Sequence, residues 1–282
     1  MFDTFKNRLE LSGTLTTITA LRISQGRSTE PIGSDLPVVK DSLGQPFIPG
    51  SSFKGAMRSR LESFLRGIDQ TLANDPSDLA GSEWKNRIKA LKTQHKDNDL
   101  ALTHSLIDIT DYASRIFGSP WIASKFQVRD FMVKKETWFG QYQERDGVSI
   151  DRDTETAADG KLYDFQVVPA GTMFDFKAIV ENADDWELGL LMVGLHQFEN
   201  EMIPLGGGRS RGLGVVQLHL DEMIWVNPSN AQELIDYLKN LVDDRLQAYV
   251  KAPPEIARLK AAWSQKLLDK LSTLSLQEPS HA

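Results

Sequence analysis

The chain has 282 residues, 40% of them hydrophobic, no cysteine, and a formal net charge of −7 with a pI near 5.3. That length can bury one substantial core or two modest ones. The absence of thiols excludes disulfides, zinc ribbons and cysteine nucleophiles, and the acidic balance argues against coating nucleic acid through bulk charge. No run of about 18 apolar residues could span a bilayer, and Met1-Phe-Asp-Thr-Phe-Lys6 lacks an apolar leader core, so the expectation is a cytoplasmic protein without membrane contact.

Arg8 to Ile23 alternates apolar and polar residues through Leu9, Leu11 and Leu15, which predicts one long opening strand. Ser24 to Gly33 reads as a loop, and Pro37-Val-Val39 and Pro46-Phe-Ile48 as short extended pieces around the turn Asp41-Ser-Leu-Gly44. Pro49-Gly50-Ser51-Ser52 is a tight turn. Phe53, Met57, Leu61, Phe64 and Leu65 then recur at helical spacing, so a helix begins near Ser51 or Ser52 with that stripe buried. The polar, charged stretch that follows has few apolar positions and predicts a helical lid inserted over about residues 67–115. Lys125 to Val133 reads as a strand, and residues 147–168 as a long hairpin with a polar tip ending in Asp159-Gly160. Met173 to Val180 predicts another strand, Trp186 to Phe198 a helix burying Leu188, Leu191, Leu195 and Phe198, and Val215 to Leu220 a further strand. Beyond Ser229 come a capping box of Ser229 with Gln232, amphipathic spacing at Leu234, Leu238, Leu241 and Leu246, and a last helix from Pro253 through Leu271. The order strand, helix, strand, strand, helix, strand suggests an α+β, ferredoxin-like core with insertions.

Two segments carry chemistry. The predicted helix start exposes unpaired N–H groups and the positive end of the helix dipole, where an anion settles. Lys54 and Arg58, four residues apart, share a face there. A capped surface helix with solvated charges is the alternative. The segment is no P-loop, because Gly44 and Gly50 are separated by five residues and Gly50 is followed by Ser-Ser-Phe-Lys. The second segment, Leu205-Gly-Gly-Gly-Arg-Ser-Arg-Gly-Leu-Gly214, sets two arginines among five glycines. Glycines open N–H nests and arginines fork onto phosphate oxygens, so this loop suits a polyanion. It precedes a strand, unlike a dinucleotide-binding glycine motif. His95, His104, His196, His219 and His281 are scattered outside both segments, which speaks against histidine acid–base catalysis.

Ile48-Pro-Gly-Ser-Ser-Phe-Lys-Gly-Ala-Met-Arg58 and Leu205 to Gly214, in this order, resemble the RAMP superfamily of CRISPR effector proteins. The resemblance covers most of residues 7–220 and is closest to the backbone subunit of type III complexes, with subtype III-D as a candidate. It implies a modified ferredoxin-like, RRM-like palm over residues 1–228, carrying the lid and a thumb hairpin, followed by a C-terminal helical extension over 229–282. It further implies that Ser51, Ser52, Lys54, Arg58, Gly207, Arg209, Ser210 and Arg211 hold guide-RNA (crRNA) phosphates, with Arg22 a further RNA contact. The thumb, around Asp151, Arg152, Thr154, Thr156 and Lys161, would enter the guide–target duplex, and Asp35 falls at the position of the aspartate with which such subunits cut target RNA. An aspartate of ordinary pKa is a weak base, so Mg²⁺ or another divalent cation is expected to assist. No metal-ligand motif is visible in the sequence. Implied partners are guide RNA, target RNA, further copies of this chain or related subunits, a large polymerase-like signalling subunit and small subunits. The strand end departs from the family pattern, with Arg22, Ser24 and Gln25 where a histidine and a glycine pair are common. A silent RNA-binding scaffold and a guide-processing endoribonuclease are the alternatives.

Overall fold

A computed structural model describes residues 3–26, 34–150 and 157–275, with the backbone alone for 148–150, 157–162 and 275. At its centre lies β1 (Arg8–Thr17), whose alternation turns Leu9, Leu11 and Leu15 into the core and Glu10, Ser12 and Thr14 outward. β7 (Met173–Glu181) and β8 (Val216–Val226) pair antiparallel on its two sides, and β3 (Phe126–Val128) pairs antiparallel with β7. The sheet order is therefore β3–β7–β1–β8. α1 (Gly50–Ile68) lies between β1 and β3 in the chain, and α6 (Asp185–Glu199) between β7 and β8, which gives the split βαβ arrangement of a ferredoxin-like fold.

β1 is shorter than its alternation predicts. The Thr17 amide donates to Thr172 O at 3.0 Å and its hydroxyl to Pro169 O at 2.8 Å. The chain bends there, and Leu21 pairs with Val168 instead. β8 conversely continues to Val226 through a bulge opposite Ser12/Gly13. A Cβ on Gly13 would lie 2.2 Å from His219 O, so no larger residue fits that approach.

Phe53, Met57, Leu61 and Leu65 of α1 are buried. The Phe53 ring sits 5.0 Å from Phe131, 5.6 Å from Phe176 and 4.2 Å from Phe198, uniting helix, sheet and α6. Phe64 is not part of the stripe. It lies about 100° around the helix from Leu65 and is 46% exposed under the Arg60 guanidinium. Buried Lys125 pairs with Glu187, which also accepts the Asp184 amide at 2.8 Å and so closes the start of α6.

The insertion after α1 contains α2 (Pro76–Leu79), α3 (Ser82–Gln94) and α4 (Asp99–Asp108), and α5 (Tyr112–Phe117) returns to the main core through Ala113, Ile116 and Phe117. The strand expected over 125–133 is split at Arg129-Asp130 into β3 and β4 (Phe131–Met132), the latter pairing with β2 (Phe47–Ile48). β5 (Gln143–Ile150) and β6 (Ala157–Val167) form an antiparallel ribbon. In α7 (Ala231–Val242) the capping box is one residue on from its predicted place: Asn230 accepts the Glu233 amide at 3.0 Å and Glu233 accepts the Ser229 amide at 2.8 Å. α8 (Pro253–Ser275) lies along α6 so closely that a Cβ on Gly189 would meet Trp263 O at 2.1 Å. Trp263 and Leu267 are buried there, so the last helix completes the core rather than trailing from it. No helix among the described residues is long and apolar enough to cross a membrane.

Candidate nucleic-acid interface

The outward positions Glu10, Ser12 and Thr14 of β1 and Asp175, Lys177 and Ile179 of β7 offer no aromatic ring for base stacking. Any nucleic-acid contact would have to come from elements at the sheet's margin, and these converge on the base of β6. Phe165 and Val167 form a small second apolar cluster with Ala20 and Leu213, flanked by Leu36 and Tyr163. Three separate stretches of sequence are thereby pinned to one strand.

The glycine-rich loop is the first. The Gly207 amide donates to Arg22 O at 2.8 Å, Leu205 N to Gly214 O at 2.8 Å and Gly214 N to Ala20 O at 2.9 Å. Gly206 has φ of +73°, and a Cβ there would meet Arg22 O at 2.1 Å, so its glycine is demanded twice. Arg209, Ser210 and Arg211 form a single exposed helical turn between left-handed Gly208 and Gly212. Arg209 Nε donates to Gly206 O at 3.1 Å, and Arg211 donates to the Tyr163 hydroxyl at 3.3 Å. The second stretch is the end of the first strand, which sets the Arg22 guanidinium 4.4 Å above the Phe165 ring. Among the described residues none of the three arginines has a carboxylate partner. Arg209 and Arg211 are exposed, and Arg22 is half-buried.

Residues 34–36 are the third stretch. Leu36 bridges to Phe165, with Gln166 N donating to Leu36 O at 3.1 Å. Exposed Asp35 donates its amide to Asp164 Oδ1 at 2.6 Å, and its own Oδ2 accepts the Asp164 amide at 3.4 Å. Two carboxylates thus stand together at β6, at a strand position that alternates with Tyr163 and Phe165, the residues that hold Arg211 and Arg22. Gln166, two residues along the same face of β6, has a buried Oε1 with no partner among the described residues. Among the described residues Asp35 Oδ1 has no partner, and a carboxylate oxygen is a ligand that Mg²⁺ accepts when substrate phosphate and water complete its shell. No group of three or more His, Cys, Asp or Glu among the described residues is placed to hold a metal.

The start of α1 is arranged differently from the sequence reading. Asp130 Oδ1 already accepts the Gly50 amide at 2.8 Å, so a carboxylate occupies part of the expected anion site. A Cβ on Gly50 would lie 2.6 Å from Val128 O, so this glycine serves packing against the β3–β4 link. Lys54 Nζ donates inward to Ser124 Oγ at 2.6 Å and Phe126 O at 3.0 Å. Burial, with Arg58 nearby, lowers its pKa from the usual lysine value. Arg58 donates to Glu62 at 2.6 Å, Gly118 O at 3.0 Å and Ser114 Oγ at 3.2 Å. Lys54 and Arg58 do share a face, but it is the face against the returning insertion, where they tie α1 to α5 and β3. Exposed Ser51 and half-buried Ser52 remain open at the turn.

Asp151, Arg152, Thr154 and Thr156 lie outside the described residues, and Lys161 lies on β6. The residues that sequence reading missed are Tyr163, Asp164, Phe165 and Gln166. The alternation Tyr-Asp-Phe-Gln-Val marks a strand, but nothing in it reveals which loops dock on that strand.

The model of the RAMP superfamily matches residues 14–217. The chain belongs to the RAMP superfamily. It is 27% identical over 224 residues to the CRISPR system Cms endoribonuclease Csm3 of Enterococcus italicus, covering 77% of this chain and 92% of that one. To the protein of the same name from Methanocaldococcus jannaschii it is 24% identical over 226 residues, 76% of this chain and 79% of the other. A 73-residue stretch is 38% identical to the Mycobacterium tuberculosis protein of that name, covering 25% of this chain and 31% of the other. As a member of this superfamily, the chain carries its glycine-rich loop at the carboxyl end of the matched region, docked on the same strand, β6, as the Asp35 segment.

Proposed function

We propose that this RAMP protein is the backbone subunit of a type III CRISPR ribonucleoprotein, where it holds guide RNA and cuts complementary target RNA with Asp35. The observation that carries the reading is the junction at β6, where one strand anchors Arg22 and Arg211 through Phe165 and Tyr163 and, through Asp164, holds the backbone of exposed Asp35. The endoribonuclease name borne by the relatives supports the same chemistry.

The arginines, the open N–H groups of the glycine turn, Ser51, Ser52 and Ser210 take phosphates of the guide. The ribbon of β5 and β6 enters the guide–target duplex and displaces a target nucleotide, and Asp151, Arg152, Thr154, Thr156 and Lys161 serve as thumb residues in that step. The displaced nucleotide brings its 2′-OH into line with the adjacent phosphate. Asp35 takes the 2′-OH proton, the oxygen–phosphorus bond forms, the bond to the 5′-oxygen breaks, and water protonates the leaving oxygen. The products are a cyclic phosphate and a 5′-hydroxyl. A divalent cation, when bound, would lower the cost of charge on the reacting oxygens, with Asp35 as its protein ligand. Lys54 and Arg58 act here through the α1 framework. Copies of this chain or related subunits, a large signalling subunit and small subunits complete the assembly.

In the assembled complex with Mg²⁺, Asp35→Ala is expected to slow cleavage of guide-matched RNA by about 10²–10⁴-fold, the range of a lost general base, while target binding is unchanged. Cleavage at the native rate would remove Asp35 from the mechanism and leave an RNA-binding scaffold.

A further inference from the structure

Far along the chain from the β6 junction, the inserted helices enclose a groove of about 580 Å³ that the proposed function does not use. Its floor is apolar, formed by Leu79, Ile88, Leu106 and Pro120 with the indoles of Trp84 and Trp121. The two indoles stack at 4.9 Å and 18°, and Trp121 Nε1 donates to Thr110 Oγ1 at 2.9 Å, which holds the pair in place across the groove. Along one edge run Lys85, Lys89 and Lys92, at helical spacings of four and three that align them on α3. All three are exposed, and no carboxylate among the described residues pairs with any of them. Arg87, outside the groove lining, lies 5.1 Å from the Trp84 ring.

This distribution is costly for a free surface. Three unpaired lysines on one helix edge repel each other, and two tryptophans lining an open groove leave apolar area in water. A chain of net charge −7 has acidic residues to spare, yet none lines the groove. Apolar floor, aromatic wall and a cationic edge at regular spacing match single-stranded nucleic acid, whose bases need a dry stacking surface while the phosphates need cations a few ångströms away. An acidic peptide would use the lysines but has no need of paired indoles.

We propose that the groove between α3 and the Pro120-Trp121 turn is a second binding site for single-stranded RNA, with bases against Leu79, Ile88 and the Trp84–Trp121 pair and phosphates on Lys85, Lys89 and Lys92. It is independent of the Asp35 assignment and lies on a different element from the arginine loop.

The test uses the full chain carrying Arg209→Glu and Arg211→Glu, so that RNA binding at the glycine-rich loop is suppressed. Fluorescence anisotropy of a labelled 12-nucleotide oligouridylate is followed from 50 to 300 mM KCl. Adding Lys85→Gln, Lys89→Gln and Lys92→Gln is expected to weaken the remaining binding at least tenfold. It should also reduce the slope of log affinity against log salt by about 2, at roughly 0.7 per lost phosphate contact. Trp121→Phe, which keeps a ring, should weaken binding less and leave the slope unchanged. Unchanged affinity and slope in the triple variant would overturn the proposal. Uridine monophosphate binding as tightly as the oligomer would overturn the strand, and polyglutamate displacing RNA at equal concentration would assign the groove to an acidic protein instead.

Discussion

Asp164 offers the sharpest test of how the site is built, because its only evident task is to hold the backbone of its neighbour. Its Oδ1 accepts the Asp35 amide at 2.6 Å and lies 3.5 Å from Ser34 Oγ. A hydrogen bond to a charged acceptor contributes about 1.5–3 kcal/mol, and the half-exposed setting argues for the low end of that range. Asp164→Ala should therefore release residues 34–35 by about 1.5 kcal/mol, roughly a tenfold loss in the population that presents Asp35 correctly. The Leu36–Phe165 bridge remains and keeps the loop near β6. The expected result in single-turnover cleavage of guide-matched RNA is a rate reduced about tenfold with target affinity unchanged. Asp164→Asn keeps an oxygen acceptor for the Asp35 amide and should recover most of that rate. Hydrogen exchange at the Asp35 amide should accelerate in the alanine variant and much less in the asparagine variant. Native cleavage and native exchange in Asp164→Ala would refute the claim that this carboxylate positions Asp35.

Two further outcomes follow from buried geometry. Gly206→Ala places a Cβ 2.1 Å from Arg22 O at a φ of +73°. Left-handed strain of about 1–2 kcal/mol and a lost Gly207–Arg22 hydrogen bond of about 1 kcal/mol should lower Tm by several degrees and weaken guide binding; an unshifted calorimetric Tm would contradict the loop geometry. Lys125→Met leaves Glu187 buried without its cation and should cost about 3–5 kcal/mol near neutral pH. Burial pushes the Glu187 carboxyl above its ordinary value while Lys125 pulls it down. The folded chain then retains a proton that the unfolded chain has released, so stability falls as pH rises through that window. Losing Lys125 deepens that loss, and the deficit measured by denaturant should be larger at pH 7.5 than at pH 5. Equal deficits at both values would refute this account of the pair.

The strand and helix order was legible because periodicity records burial directly: Leu9, Leu11 and Leu15 at spacing two, and Phe53, Met57, Leu61 and Leu65 at spacing four. Phe64 fell outside that stripe because neighbouring helical positions differ by about 100°. The glycine-rich loop was legible too, since the positive φ of Gly206, Gly208, Gly212 and Gly214 restricts those positions to glycine. Spacing places Lys54 and Arg58 on one helix face and does not tell what covers that face. Here Ser124, Phe126 O, Gly118 O and Glu62 cover it.

Local sequence alone determined the element types, the glycines of the loop and the presence of an aspartate in an otherwise unremarkable turn, because each depends on neighbours a few residues away. Tertiary structure alone decided that Asp35 meets Asp164 across 129 residues, that Gly207 meets Arg22, and that α8 closes over α6. Those contacts depend on which loops dock on β6 and which helix faces meet, and the backbone hydrogen bonds that fix them are common to every residue type and leave no mark in the sequence.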